Sequence, residues 1–148
     1  MTPLDLTQRP PRSGRAELDG IAYLPRAIDK TRAELPGGNL GRYIILRPDI
    51  VTVSGLFYRR MGITHDEFAA AVRDARTEDD VAAWLRPRID EEKLAKWHRQ
   101  LLQMRLCDIP SPAKEAVLDN HPVAKTMPDT TFLVDVFDAD DAELFAKR

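Results

Sequence analysis

THDEFAAAVRDARTEDDVAAWLRPRIDEEKLAKWHRQLLQMRL, residues 64–106, is the stretch whose reading decides the fold. Thr64 and Glu67 make a capping box, in which the threonine oxygen accepts a first-turn amide and the glutamate reaches back to the cap. The box opens a helix with Phe68, Val72 and Ala75 on one face. Thr77 and Asp80 repeat the signal ahead of Val81, Trp84 and Leu85, and Pro87 ends that helix or begins its exit. Asp90 then caps the longest pattern, with Leu94, Trp97, Leu101 and Met104 at three–four spacing and Glu92 four residues before Lys96. Short capped helices in tandem can hide such stripes only against one another. Phe68, Val72, Trp84, Leu94, Trp97 and Leu101 are therefore the expected core.

Toward the N-terminus, Val53, Leu56, Phe57 and Met61 keep helical spacing, with Gly62 placed to close the helix in a left-handed conformation. YIIL, residues 43–46, reads as a buried extended segment or edge strand, and Pro48 stops it from running on. Leu24, Ile28, Thr31 and Leu35 recur at helical spacing behind Pro25, which suits a first helical turn. That pattern leaves Arg26, Asp29, Lys30, Arg32 and Glu34 on wetter faces. Pro36, Gly37 and Gly38 stop the helix, and Gly41 frees the following loop to take positive φ. Residues 1–19 hold three prolines and no periodicity, and predict an extended N-terminal arm on a helical domain spanning 20–148. Arg9, Arg12 and Arg15 fall three apart in that arm, a spacing that aligns them in a polyproline-like segment for an acidic partner or for solubility.

On the C-terminal side, residues 107–129 carry four prolines and read as a connector, with a short helix from Ser111–Pro112 to Leu118. The segment TTFLVDVFDADDAELFAKR has strand-like composition, yet the spacing of Asp135 and Asp138 among Phe132, Leu133, Val136 and Phe137 favours a helix capped by Asp129. The whole predicts a mostly α, single compact domain of about five to seven short helices.

Composition narrows the function classes. The 148 residues are 43% hydrophobic and 31% charged, ordinary for a soluble domain. A net charge of −2 gives no global electrostatic case for nucleic acid. Residues 1–60 carry ten Lys/Arg against six Asp/Glu, and residues 61–148 twelve against eighteen, so the first part is +4 and the second −6. The single cysteine, Cys107, excludes an internal disulfide and fits a reducing compartment. No apolar run approaches the roughly 20 residues that span a bilayer, and the first residues lack the apolar core of a signal peptide. The expectation is a cytoplasmic protein without a membrane partner.

Several pieces carry a resemblance: DLTQRPPRS (Asp5 to Ser13), LPRAIDK (Leu24 to Lys30), LPGGNLGRY (Leu35 to Tyr43), SGLFYRRMGIT (Ser54 to Thr64), VAAWL (Val81 to Leu85) and FDADD (Phe137 to Asp141). In these, taken in order over nearly the whole length, the chain resembles the bacterial family of domain of unknown function 5069. The resemblance implies a small bacterial, cytoplasmic protein. It carries over no catalytic or ligand residue set.

The chemistry-bearing groups are sparse. The GGNLG loop follows a helix rather than a strand and lacks the GK[ST] ending, so it is no nucleotide loop. It reads as a helix stop, with Asn39 open to a ligand. Asp29 and Lys30 are neighbours that diverge by about 100° around a helix, and Asp29 with Arg26 or Arg32 has ordinary ion-pair spacing. The tail acids Asp135, Asp138, Asp140 and Asp141 lack the glycine and spacing of a calcium loop, and fit instead a last helical turn and a basic partner from the N-terminal half. His65, His98 and His121 are scattered without a zinc motif, and Ser54–Gly55 lacks a nucleophile elbow.

No metal site and no cofactor is expected. The candidate ligand site is Asp29, Lys30, Arg32, Asn39 and Tyr43, with an anionic small ligand or a protein as partner. A non-enzymatic binding or regulatory module leads, because no catalytic set emerges. The alternative is an enzyme acting on an anionic metabolite through the Asp29/Lys30 helix and the Asn39 loop. A concave pocket where polar groups converge separates the second reading from the first.

Overall fold

In the computed structural model, which describes residues 1–146, helix α1 (Leu24–Glu34) is the most enclosed element, with every residue from Ile21 to Thr31 buried. A two-stranded antiparallel ribbon, β1 (Glu17–Leu18) and β2 (Ile21–Ala22), leads into it. Helices α2 (Val53–Met61), α3 (His65–Asp74), α4 (Glu78–Leu85), α5 (Glu91–Gln103), α6 (Ala113–Asn120) and α7 (Leu133–Ala146) follow in order. Short 3-10 turns at Arg86–Arg88, Leu106–Asp108 and Pro122–Thr126 join some of them. The protein is mostly α-helical and forms one compact domain.

The caps read in the sequence are present. Thr64 Oγ1 accepts the Glu67 amide while Glu67 accepts the Thr64 amide, at 3.1 and 2.9 Å. Asp90 accepts the Lys93 amide at 2.8 Å, and Asp80 accepts those of Arg76 and Thr77. Gly62 closes α2 at φ 68°. Phe57, Phe68, Trp97 and Tyr23 form the aromatic heart of the core, with Phe57 centred 5.4 Å from Trp97 and 6.0 Å from Phe68. Trp97 also donates its indole N–H to the Ala22 carbonyl at 2.9 Å, which locks α5 to the ribbon. Leu94, Leu101, Val72 and Val81 complete this cluster, and Trp84 packs on its edge, half-buried. A smaller cluster of Leu106, Ile109, Ala124, Leu133, Val136 and Phe137 seats α7.

Four expectations change. Three of the five charged positions of α1 are not on a wet face: Arg26, Asp29 and Lys30 are buried, while Arg32 is half-buried and Glu34 exposed. The N-terminal arm covers one flank and α7 the other. Arg12 grips Asp29 through its guanidinium and its backbone amide, and also pairs with Glu78 on α4. Arg26 meets Asp141 at 2.8 Å. Tyr43 to Leu46 forms no strand: the Ile44 and Ile45 carbonyls bond to side chains of Lys30 and Thr52 rather than to a backbone partner, and Ile45 is buried while Leu46 is exposed. The last helix starts at Leu133 and not behind Asp129, whose carboxylate instead holds Lys114 at 2.7 Å. Asp140 and Asp141 lie inside that continuous helix, buried, where a final separate turn was expected. His65 is held between the Tyr58 hydroxyl and Glu34.

The basic arm does find acids, all within its own chain. Arg15 pairs with Asp135 at 2.9 Å and the Ser13 hydroxyl donates to Asp138 at 2.9 Å.

Candidate functional site

Three residues of α1 and its cap, Tyr23, Arg26 and Lys30, fall at three–four spacing and face a cavity of about 730 Å³. The segment 42–53 and the start of α2 make one wall. Helix α6, the turn before it, and α7 make the other, contributing Ile109, Val117, His121, Leu133, Phe137 and Asp140. Exposed Arg42, Arg59 and Val51 are among the lining residues, so that end opens to solvent.

The loop wall is fixed at two neighbouring carbonyls. Lys30 Nζ donates to Ile44 O at 2.8 Å, and Thr52 Oγ1 donates to Ile45 O at 2.6 Å while capping α2 through the Gly55 amide. Ser54, buried in the first turn of α2, shares a 2.8 Å hydrogen bond with the Tyr23 hydroxyl. Tyr23 itself has φ 76°, in the left-handed region that a bulky side chain occupies only under strain. Such strain costs on the order of 1–3 kcal/mol, and persists where the surroundings over-determine it. Here the ring is wedged between Phe57 and Trp97 and the hydroxyl is bonded at its far end.

A polar network lies beneath the apolar walls. Asp141 accepts from Arg26 at 2.8 Å and from the Tyr43 hydroxyl at 2.7 Å. Arg26 also donates to the Arg12 carbonyl at 3.1 Å, and its guanidinium lies 5.5 Å from the Phe137 ring centre and 5.7 Å from that of Tyr43. Its Nε, however, is buried without a partner. Leaving a charged donor unpaired in the interior is costly. Asp140 accepts from His121 Nδ1 at 2.8 Å. Because a carboxylate can only accept, the proton sits on Nδ1 and leaves Nε2 with a lone pair.

Burial and then its contacts with Asp141 push the Tyr43 phenol up, so it stays protonated. Burial lowers His121, with Asp140 offsetting part of the shift, and the imidazole is neutral near pH 7. Lys30 is strongly perturbed as well. It is 8% exposed, forms no ion pair among the described residues, and stands one helical turn from Arg26. Burial, then the Arg26 charge, bring it down to about 7, with Asp141 only partly opposing.

Of the residues singled out in the sequence, Lys30 and Tyr43 line this cavity. Asp29, Arg32 and Asn39 do not, for reasons the contacts make clear. Asp29 is the anchor of Arg12 on the opposite flank of α1. Arg32 is engaged with Thr2, donating to its carbonyl at 2.8 Å. Asn39 pairs its backbone with Leu4 and Leu6 of the arm, and its side chain accepts the Gly41 amide. The glycine loop is thus a clamp for the arm: Gly41 has φ 61°, and a Cβ on Gly38 would lie 2.6 Å from the Ala33 carbonyl oxygen. Arg26, Ser54, His121 and Asp140 join the site from outside that set. A signal existed for two of them, since Arg26 and Lys30 are four apart on one helix face and Asp140 interrupts an apolar helix.

The fold and its cavity define a small helical protein built around an internal, polar-floored pocket. The chain belongs to the family described as domain of unknown function DUF5069, whose model matches residues 8–143. No match to a curated protein was found. None of the described helices is long and apolar enough to cross a membrane.

Proposed function

We propose that the protein binds a small organic anion in the cavity, its acidic group set toward Arg26 and Lys30 and its apolar body against Ile44, Leu133 and Phe137. The observation that carries this reading is Lys30, a buried amine that lines the cavity and forms no ion pair among the described residues. Asp141, the carboxylate whose charge acts on it, is already shared by Arg26 and Tyr43. A ligand anion would supply the missing charge, and a desolvated, cation-floored pocket favours one. Convergence of polar groups in a concavity supports a small-molecule site over a surface docking module. The lone thiol and the family resemblance support a bacterial, cytoplasmic setting for it.

A thermal-shift panel of carboxylates and phosphates tests the reading, with Lys30→Met as the control. A ligand at 100 times its Kd stabilises by about 2.7 kcal/mol. The expected result is a shift from an anionic compound in the wild type that is lost or strongly reduced in Lys30→Met. No shift from any anion, or one undiminished in the variant, would overturn it.

A further inference from the structure

The anion site has chemistry beyond charge. We propose that Lys30 forms a reversible Schiff base with the carbonyl carbon of an oxo-acid ligand, an aldehyde or ketone that also carries a carboxylate. This rests on the small-molecule reading of the cavity and names the reactive class it would take.

Three observations converge. Lys30 is held at the cavity by a hydrogen bond to the Ile44 carbonyl, to which the neutral amine can still donate. No carboxylate among the described residues pairs with it, and Arg26, four residues earlier on the same face, keeps a permanent cation beside it. Desolvation in an apolar pocket and proximity to another cation are the two devices that turn a lysine into a nucleophile. At about 7, a large share of Lys30 is the free amine at neutral pH. Arg26 then has a second role, since the cation that depresses Lys30 is placed to receive the ligand's carboxylate.

The step balances without an outside reagent. The Nζ lone pair adds to the carbonyl carbon, forming the C–N bond and a carbinolamine. The former carbonyl oxygen then leaves as water, carrying the two protons the amine gave up, and the C=N bond forms. Nothing is oxidised or reduced. The neutral His121, its Nδ1–H fixed on Asp140, lines the same cavity and offers Nε2 as the base and then acid for these proton transfers. Tyr43, kept protonated by its bond to Asp141, adds no competing negative charge.

The test is reductive trapping. The full chain is incubated at pH 7 with 4-carboxybenzaldehyde or glyoxylate and sodium cyanoborohydride, and labelled sites are found by peptide mass mapping. Exposed Lys93, Lys96 and Lys125 provide the reference. Lys30 should be labelled roughly 100- to 1,000-fold faster than any of them, with a rate that rises with pH to a midpoint near its own pKa. Lys30→Met should lose the fast label and keep the helical circular-dichroism spectrum. Labelling of Lys30 no faster than the exposed lysines, by either aldehyde, overturns the proposal. A parallel titration with 4-carboxybenzyl alcohol, which has the acid but no carbonyl, separates the two readings. Its binding without trapping at Lys30 removes the Schiff base and leaves the anion site. The absence of both removes both.

Discussion

Replacing Lys30 by Met should stabilise the fold, and by an amount that depends on pH. The ammonium of Lys30 is disfavoured in the folded state, where burial and Arg26 bring it from 10.5 to about 7. At about 1.4 kcal/mol per unit, that fall corresponds to roughly 5 kcal/mol as an upper bound. Relaxation of the site and water in the cavity bring the effective penalty to about 2–4 kcal/mol. The lost bond to Ile44 O takes back about 1 kcal/mol, which leaves Met ahead by roughly 1–3 kcal/mol below pH 7. The sign with pH follows from proton counting. Between pH 7 and 10.5 the unfolded chain binds the proton that the folded chain has lost, so wild-type stability rises with pH across that window. Below pH 7 both states carry the proton and the penalty is complete. Methionine does not titrate, so its advantage should shrink by up to about 1.4 kcal/mol per unit as pH rises from 7 to 9. Urea unfolding of both proteins at pH 6, 7, 8 and 9 reads the gap directly. A gap constant across that range, or a destabilised Met variant at pH 6, would refute the reasoning.

Other perturbations probe the scaffold. Trp97→Ala opens a hole at the aromatic heart and frees the Ala22 carbonyl, and should cost about 3–5 kcal/mol by chemical denaturation; a loss under about 1 kcal/mol would contradict that packing. Asp141→Asn leaves the Arg26 charge buried without its partner and should destabilise by about 3–5 kcal/mol, whereas a neutral effect would mean the pair is solvated. Asp29→Asn weakens the hold on Arg12, so limited proteolysis should cut within residues 1–19 faster than in the wild type. Chelator should leave the melting temperature unchanged, because no cluster of His, Cys, Asp and Glu suited to a metal is found among the described residues; a loss restored by one divalent cation would reverse this.

What could be read from sequence was what is encoded locally. The box at Thr64 and Glu67, the cap at Asp90 and the closing Gly62 each involve residues within one or two turns, so neighbours in sequence carry the whole signal. The stripe from Leu94 to Leu101 was legible for the same reason. The wetness of α1 was not, because amphipathicity reports only one helix and not what covers it. Arg12 lies 17 residues from Asp29, and Asp141 lies 115 from Arg26. Without those partners, Arg26 and Lys30 look like a solvated face. The same gap divides the candidate residues: Lys30 and Tyr43 line the cavity, while Asn39 sits beside glycines that serve the arm. Asp140 was misplaced because it was read as favouring the start of a new turn, when the helix runs on and buries it against His121.

The placement of α7 has a consequence for how the chain is assembled during synthesis. A nascent chain emerges N-terminus first and domains begin to organise as they appear. The tandem from α2 to α5 can collapse early, since its helices are contiguous in sequence, and it would sequester α1 with its two cations. Asp141, the partner of Arg26, is synthesised 115 residues after it. Until it arrives, the floor of the cavity is an interior with positive charge and no negative, which resists tight closure. Translation must reach α7 before the pocket can seal, so closure waits until every wall has been made. A ribosome-bound series of increasing length should therefore show protease resistance rising in two stages, the second only when α7 has cleared the exit tunnel.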